Sequence, residues 1–120
     1  MSVKADDQDL EKLIESVSGF FGLLAEPTRL KILNALCGGE RSVGEVVQRV
    51  GSTQTTVSRH LNLMYAKGVL QRRREGQQTF YSVSEPAIVE LCRTVCVHIA
   101  SAADGRAVTS RTLRRFMPDA

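Results

Sequence analysis

Apolar residues recur at helical spacing along most of this chain and at strand spacing in only one place. From Asp6 to Leu24, a single long stripe of Leu10, Leu13, Ile14, Val17, Phe20, Phe21 and Leu24 predicts a helix that packs on another element or on another subunit. A second helix begins at "AEPTRLKIL", where Pro27 suits the first turn because its missing N–H costs nothing there. It runs through Leu30, Leu33 and Leu36 to Cys37, and Gly38-Gly39 end it. Ser42 can cap a short third helix whose Val43, Val46, Val47 and Val50 fall at i, i+3, i+4 and i+7. Gly51 breaks that helix, and Ser52 or Thr53 can cap a fourth, which turns Val57, Leu61 and Met64 inward and stops at Lys67-Gly68. A short helix, a tight turn and a second helix is helix-turn-helix spacing. The stretch "VLQRRREGQQTFYSV" then places β-branched and aromatic residues on either side of a polar centre, a hairpin pattern with its turn at Glu75-Gly76. A last helix spans Glu85 to Ala102, with Ile88, Leu91, Val95 and Ile99 on one face. Tyr65 and Phe80 are expected in the core. The expected fold is mainly α with a small β-hairpin wing. It comprises one domain over residues 1–103 and an Arg-rich, flexible tail over 104–120.

The fourth helix has an unusual composition. "GSTQTTVSRHLNLM" carries five short hydroxyl side chains, a Gln, an Arg and a His around a thin apolar stripe. With Val57, Leu61 and Met64 inward, Thr55, Ser58, Arg59 and Asn62 lie on or near the opposite face, and Gln54 and Thr55 occupy the first turn. Base edges in the major groove present donors and acceptors that these side chains can pair with. A helix N-terminus also offers unpaired N–H groups to phosphate. A merely solvated helix would more often use Glu, Lys and Ala, which are better helix formers than Thr. The hairpin that follows carries Arg72, Arg73 and Arg74, suited to the DNA backbone or an adjacent minor groove, although three arginines alone are more often a solubilising turn.

Charge placement points the same way. The chain of 120 residues has a net charge of +3, but residues 1–20 hold two lysines against five acids, whereas residues 41–78 hold seven basic residues against two glutamates. Basic charge concentrated mid-chain suits a polyanion. No run is apolar enough to span a bilayer and no signal sequence opens the chain, so the expectation is a cytoplasmic protein with no membrane partner. Three cysteines without secretory features are expected as reduced thiols. Neither of the two histidines sits in a catalytic motif, and "CRTVC" has one residue too many for a thiol oxidoreductase, so an enzyme is not expected.

The segments "LAEPTRLKILNAL", "SVGEVVQRVG" and "TQTTVSRHLNLMYAKGVLQRRREGQQTFYSV" together resemble the ArsR/SmtB family of winged-helix repressors, over residues 18–100 in unbroken order. The resemblance implies a winged helix-turn-helix homodimer held by the first and last helices. It also implies binding to double-stranded operator DNA that weakens when an inducer, commonly a metal or metalloid ion, binds. The candidate DNA-contacting residues are Ser42, Thr53, Gln54, Thr55, Thr56, Ser58, Arg59 and His60, with Arg73 and Arg74 of the wing. His60 is equally open to a phosphate contact or a role in anchoring its helix.

Two of the family's inducer sites are broken in this chain. The third helix, "RSVGEVVQRV", has no Cys-x-Cys, and the acid-x-His pair of the last helix reads Glu85-Pro86-Ala87, with only His98 downstream. What remains is sulfur. Cys92 and Cys96 are one turn apart on the last helix, and Cys37 closes the second helix, which in folds of this kind packs near the last. Three thiolates suit trivalent arsenic or antimony, and less well Cd or Pb. No constitutive cofactor is expected. The plainer reading is that each Cys is a small buried hydrophobe. An alternative is a thiol-based redox or persulfide sensor that uses Cys37 with Cys92 or Cys96.

Overall fold

The computed structural model describes residues 3–102 and 108–118. Local chemistry sets the helix boundaries. After α1 (Val3–Leu24), α2 (Pro27–Leu36) opens with the Glu26 carboxylate accepting the Arg29 N–H at 2.9 Å and with Pro27 in the first turn. A reciprocal capping box starts α3 (Val43–Val50): the Ser42 hydroxyl accepts from the Glu45 N–H and the Glu45 carboxylate accepts from the Ser42 N–H, at 3.2 and 3.1 Å. That helix ends on Gly51 in the left-handed region (φ 72°), whose N–H returns to the Val47 carbonyl. Thr53 then caps α4 (Gln54–Ala66).

Three antiparallel strands form the sheet: β1 (Arg41–Ser42), β2 (Leu70–Glu75) and β3 (Gln78–Val83), in the order β1-β3-β2. Glu75 pairs with Gln78, so the hairpin turn is Gly76-Gln77 rather than the expected Glu75-Gly76, and Gly76 supplies the positive φ (62°) at its first position. The sequence pattern did not reveal β1, because two residues are too few to show alternation. It pairs Arg41 with Tyr81 and Ser42 with Phe80, so the residue that caps α3 is also held by the sheet. The chain continues into α5 (Pro86–Ser101) and α6 (Ser110–Arg115).

Ile32, Leu33 and Leu36 of α2, Val46 of α3, and Val57, Leu61 and Met64 of α4 form the core, with Val69, Leu70 and Tyr81 from the sheet side. Two aromatic residues differ from expectation. Tyr65 is exposed and Phe80 is half-buried, and the core tyrosine is Tyr81. Tyr65 follows inward-facing Met64 on the helix and so rotates outward, while strand alternation sends Tyr81 inward and Phe80 away.

Burial on α1 and α5 is one-sided. Only Leu23 and Leu24 of α1 are buried, whereas Leu10, Leu13, Ile14, Val17 and Phe21 are each at least 45% exposed. On α5, Ile88, Val89 and Cys92 are buried while Val95, Val97 and Ile99 are exposed. Surplus apolar surface of this kind marks an interaction face.

The expected domain limit at residue 103 lies outside the described residues. Beyond it, residues 108–118 are anchored at one point, Met117, and are otherwise mostly exposed. Thr109 caps α6, and Met117 is fully buried. The Met117 N–H donates to Asn34 Oδ1 at 2.6 Å, and its carbonyl accepts from Arg93 Nε at 2.5 Å. A six-residue helix anchored by one methionine is too short to register as periodicity. No helix among the described residues is long and apolar enough to cross a membrane.

Candidate nucleic-acid interface and thiol cavity

On α4 the side chains divide into those that hold the helix and those that face outward. The Thr53 hydroxyl accepts the Thr56 N–H at 3.2 Å, and the two hydroxyls lie 2.9 Å apart. Of the residues the sequence offers as DNA contacts, Thr53 is thus also the cap of α4 with Thr56 as its partner, and Ser42 is the cap of α3. His60 packs against α2: Arg29 Nη1 donates to its Nδ1 at 3.5 Å, and its Nε2 lies 4.0 Å from Glu26 Oε2. These contacts with α2 support the anchoring reading of His60, the second of its two open readings. Gln54, Thr55 and Arg59 remain exposed and Ser58 half-exposed, along one side of the helix's N-terminal half.

The wing is less basic than its sequence suggests. Arg73 donates from Nε to both Glu40 carboxylate oxygens at 2.8–2.9 Å and from Nη1 to Glu75 at 2.7 Å, with its guanidinium 4.7 Å from the Phe80 ring centroid. Glu40, and after it Glu75, push its pKa further up, so it stays charged but is matched by two acids. Its neighbour Arg72 lies 3.9 Å from the Tyr65 ring centroid and 3.5 Å from Asn62 Oδ1, which also accepts the Tyr81 hydroxyl at 3.3 Å. Cation–π contact and these hydrogen bonds tie the wing to α4. Arg74 is exposed and makes no ion pair among the described residues. Of the two wing arginines expected to contact DNA, Arg74 is available and Arg73 is internally engaged. Arg72, Asn62 and Glu40 were missed as parts of this arrangement. Strand alternation, which separates Arg73 from Arg72 and Arg74, was the signal that pointed to it.

The cysteines do not form the expected three-sulfur set. None is in a disulfide, and among the described residues no three His, Cys, Asp or Glu side chains converge to hold a metal ion. Cys37 lines a cavity of about 300 Å³ with Val83, Pro86, Glu90 and Arg93, and its thiol donates to the carbonyls of Asn34 (3.1 Å) and Pro118 (3.4 Å). Cys92 and Cys96 line a different cavity of about 350 Å³, with Phe21 and Leu24 of α1, Ala25 and Phe116. The last turn of α2 points Cys37 toward the C-terminal residues instead of toward this cavity. Burial pushes the Cys92 thiol above its ordinary pKa.

Residues 26–72, which contain α3, α4 and the start of the wing, match the family model described as bacterial regulatory protein, arsR family. The biofilm growth-associated repressor of Xylella fastidiosa (strain Temecula1) is 34% identical over 84 residues, 70% of this chain and 74% of that protein. The chain belongs to the arsR family of bacterial regulatory proteins. This ArsR-family chain is also 39% identical over 77 residues to the probable mercury resistance operon repressor of Streptomyces lividans. That match takes in 64% of this chain but 62% of the relative, so the chain covers less than two thirds of that protein's length. The homodimeric winged helix-turn-helix DNA-binding domain of a possible ArsR-family transcriptional regulator from Mycobacterium bovis matches with a TM-score of 0.70 at 28% identity, over 79% of this chain and 88% of that one. The fold is accordingly a winged helix-turn-helix, with α3 and α4 as the helix-turn-helix and β2–β3 as the wing. The protein is a DNA-binding transcriptional repressor of this family and not an enzyme.

Proposed function

We propose that this ArsR-family repressor binds an inverted-repeat operator as a homodimer and releases it when a thiophilic inducer reaches the cysteines of α5. The unpartnered apolar residues of α1 and α5 supply the dimer surface. Two copies of α4 then enter successive major grooves about 34–36 Å apart. Gln54, Thr55, Ser58 and Arg59 read bases, and Arg74 contacts the backbone. The observation that carries this reading is the capped N-terminal half of α4, which presents these polar side chains outward beside the wing.

Trivalent arsenic or antimony is the inducer class favoured by thiols without nitrogen partners, ahead of Cd or Pb. Because Cys37 lines a separate cavity, the pair Cys92 and Cys96 carries the reading. Binding at α5 alters the dimer surface and hence the spacing of the two recognition helices. A coupling of about 1–3 kcal/mol lowers operator affinity roughly 5–150-fold. The test is a gel shift on the protein's own promoter DNA under anaerobic, reducing conditions, with sedimentation of the free protein. A monomer at micromolar concentration refutes the dimer. Release by arsenite or antimonite that survives Cys92→Ser and Cys96→Ser refutes the site. Release only by polysulfide or peroxide establishes the redox alternative, in which Cys37 acts with Cys92 or Cys96.

A further inference from the structure

A groove of about 550 Å³ runs between α2, the last turn of α3 and the C-terminal segment. Four cations line it: Lys31 of α2, Arg49 of α3, and Arg114 and Arg115 of α6. No acid lines it, all four cations are exposed, and none makes an ion pair among the described residues. Glu45, one turn before Arg49 on α3, is already engaged: it closes the capping box with Ser42 and lies 3.6 Å from Arg41 Nη1. Arg49 lends it only a weaker, longer-range attraction. None of the four cations belongs to α1 or α5, whose apolar faces supply the dimer surface.

Tertiary contacts assemble this cluster. The Met117 side chain is fully buried, its N–H donates to Asn34 Oδ1 and its carbonyl accepts from Arg93 Nε, so Arg114 and Arg115 just before it are set against α2. Gathering four positive charges in one groove costs free energy through mutual repulsion, which a partner of opposite charge removes. The groove also lies close to the recognition helix. Arg49 stands five residues before Gln54, the first residue of α4, so their Cα atoms are at most about 18 Å apart. A major groove is about 12 Å wide, and the first helix of a helix-turn-helix crosses the backbone beside it. Arg49 therefore stands at the phosphate rim of the half-site, and Lys31, Arg114 and Arg115 continue the positive surface from there.

We propose that this groove binds the phosphate backbone of the operator duplex beside the half-site that α4 reads, with Lys31, Arg49, Arg114 and Arg115 as its contacts. The proposal rests on α4 entering the major groove and adds a phosphate-binding surface separate from the wing. A single free phosphate would meet four cations spread over three helices, whereas a duplex, with one negative charge per about 1.7 Å of axis, engages all of them together. Such contacts add affinity and fix the register of the protein on DNA without carrying sequence information. Docking of the C-terminal segment through Met117 is what completes the surface, since it supplies two of the four cations.

The experiment is fluorescence anisotropy of the full-length protein on promoter and scrambled duplexes across a salt series. Two double variants are compared with the parent, Arg114→Gln with Arg115→Gln and Lys31→Gln with Arg49→Gln. Each lost phosphate contact makes the slope of log affinity against log salt shallower by about 0.9, so each double variant should lose about 1.8 per chain, on both duplexes alike. Between 50 and 200 mM salt the parent then loses about 12-fold more affinity per chain than the variant. Arg114→Lys with Arg115→Lys should restore the slope. Arg111, exposed on α6 but outside the groove lining, is the control for a merely basic tail, and Arg111→Gln should leave the slope unchanged. An unchanged slope in both double variants, or an equal loss per charge from Arg111→Gln, overturns the proposal. So does a thermal shift with inorganic phosphate that the double variants abolish while their salt slope stays unchanged, which makes the groove a free-anion site. Failure of the α4 reading shows separately, as Gln54→Ala leaving the preference for promoter over scrambled DNA intact.

Discussion

Glu40 restrains the wing, and removing its charge should strengthen DNA binding. Arg73 holds Glu40 through Nε and Nη2 and Glu75 through Nη1, at distances of 2.7–2.9 Å. Around the wing, three arginines face two glutamates and leave one net positive charge. Glu40→Gln removes the larger of the two constraints on Arg73 and lets its guanidinium reach a phosphate. Each additional phosphate contact steepens the slope of log affinity against log salt by about 0.9, which between 50 and 200 mM salt is about a 3.5-fold greater loss of affinity. Fluorescence anisotropy on a labelled promoter fragment across a salt series measures this directly. The variant should bind more tightly at low salt, with a slope steeper by about 0.9 per chain, and a scrambled duplex should gain equally because phosphates carry no sequence information. Arg74→Gln should move the slope in the opposite direction. Thermal stability should hardly change, since exposed ion pairs contribute little. An unchanged or shallower slope for Glu40→Gln would refute the reasoning and mean that Arg73 never leaves its acidic partners on DNA.

Thr53→Ala should cost about 1 kcal/mol of folding stability through the lost cap, whereas Gln54→Ala should leave stability within about 0.5 kcal/mol and cost about 1–3 kcal/mol of operator affinity; urea denaturation and gel shift together check this. Met117→Ala should destabilise by about 2–5 kcal/mol in the same denaturation assay, although the sequence pattern places Met117 in a loose tail. Backbone hydrogen bonds from Arg29 and Ser42 hold the Glu26 and Glu45 carboxyls below their ordinary value of 4.5. Their stabilisation is therefore present above pH 4.5 and lost as pH falls through the depressed values, so a Glu26→Gln, Glu45→Gln double variant should show a flatter acid limb in a pH-dependent denaturation series. Cys92 should alkylate more slowly than a solvated thiol at pH 8, as peptide mapping after timed iodoacetamide treatment would show.

The legible parts of the sequence were those governed by local rules. Ser42, Gly51 and Thr53 announce the helix-turn-helix because caps and a left-handed glycine act within four residues of the chain. Val57, Leu61 and Met64 announce the buried side of α4 by spacing alone. What stayed hidden depends on partners far apart in sequence. Arg73 looked available because Glu40, 33 residues earlier, is its partner only once β1 lies beside β3. His60 stayed ambiguous until α2 brought Glu26 and Arg29 against it. The three cysteines looked like one site because helix adjacency does not say which way the last turn of α2 points Cys37.

On α4 the positions that maintain the helix (Thr53, Thr56, Val57, His60, Leu61 and Met64) interleave with the outward-facing Gln54, Thr55, Ser58 and Arg59, and the two sets share no member. Descendants of this chain can therefore exchange the outward set freely, since no cap, core contact or interhelical hydrogen bond changes with it. A duplicated gene can acquire a new DNA target by a few substitutions in one helical turn and a half, while inheriting its folding unaltered.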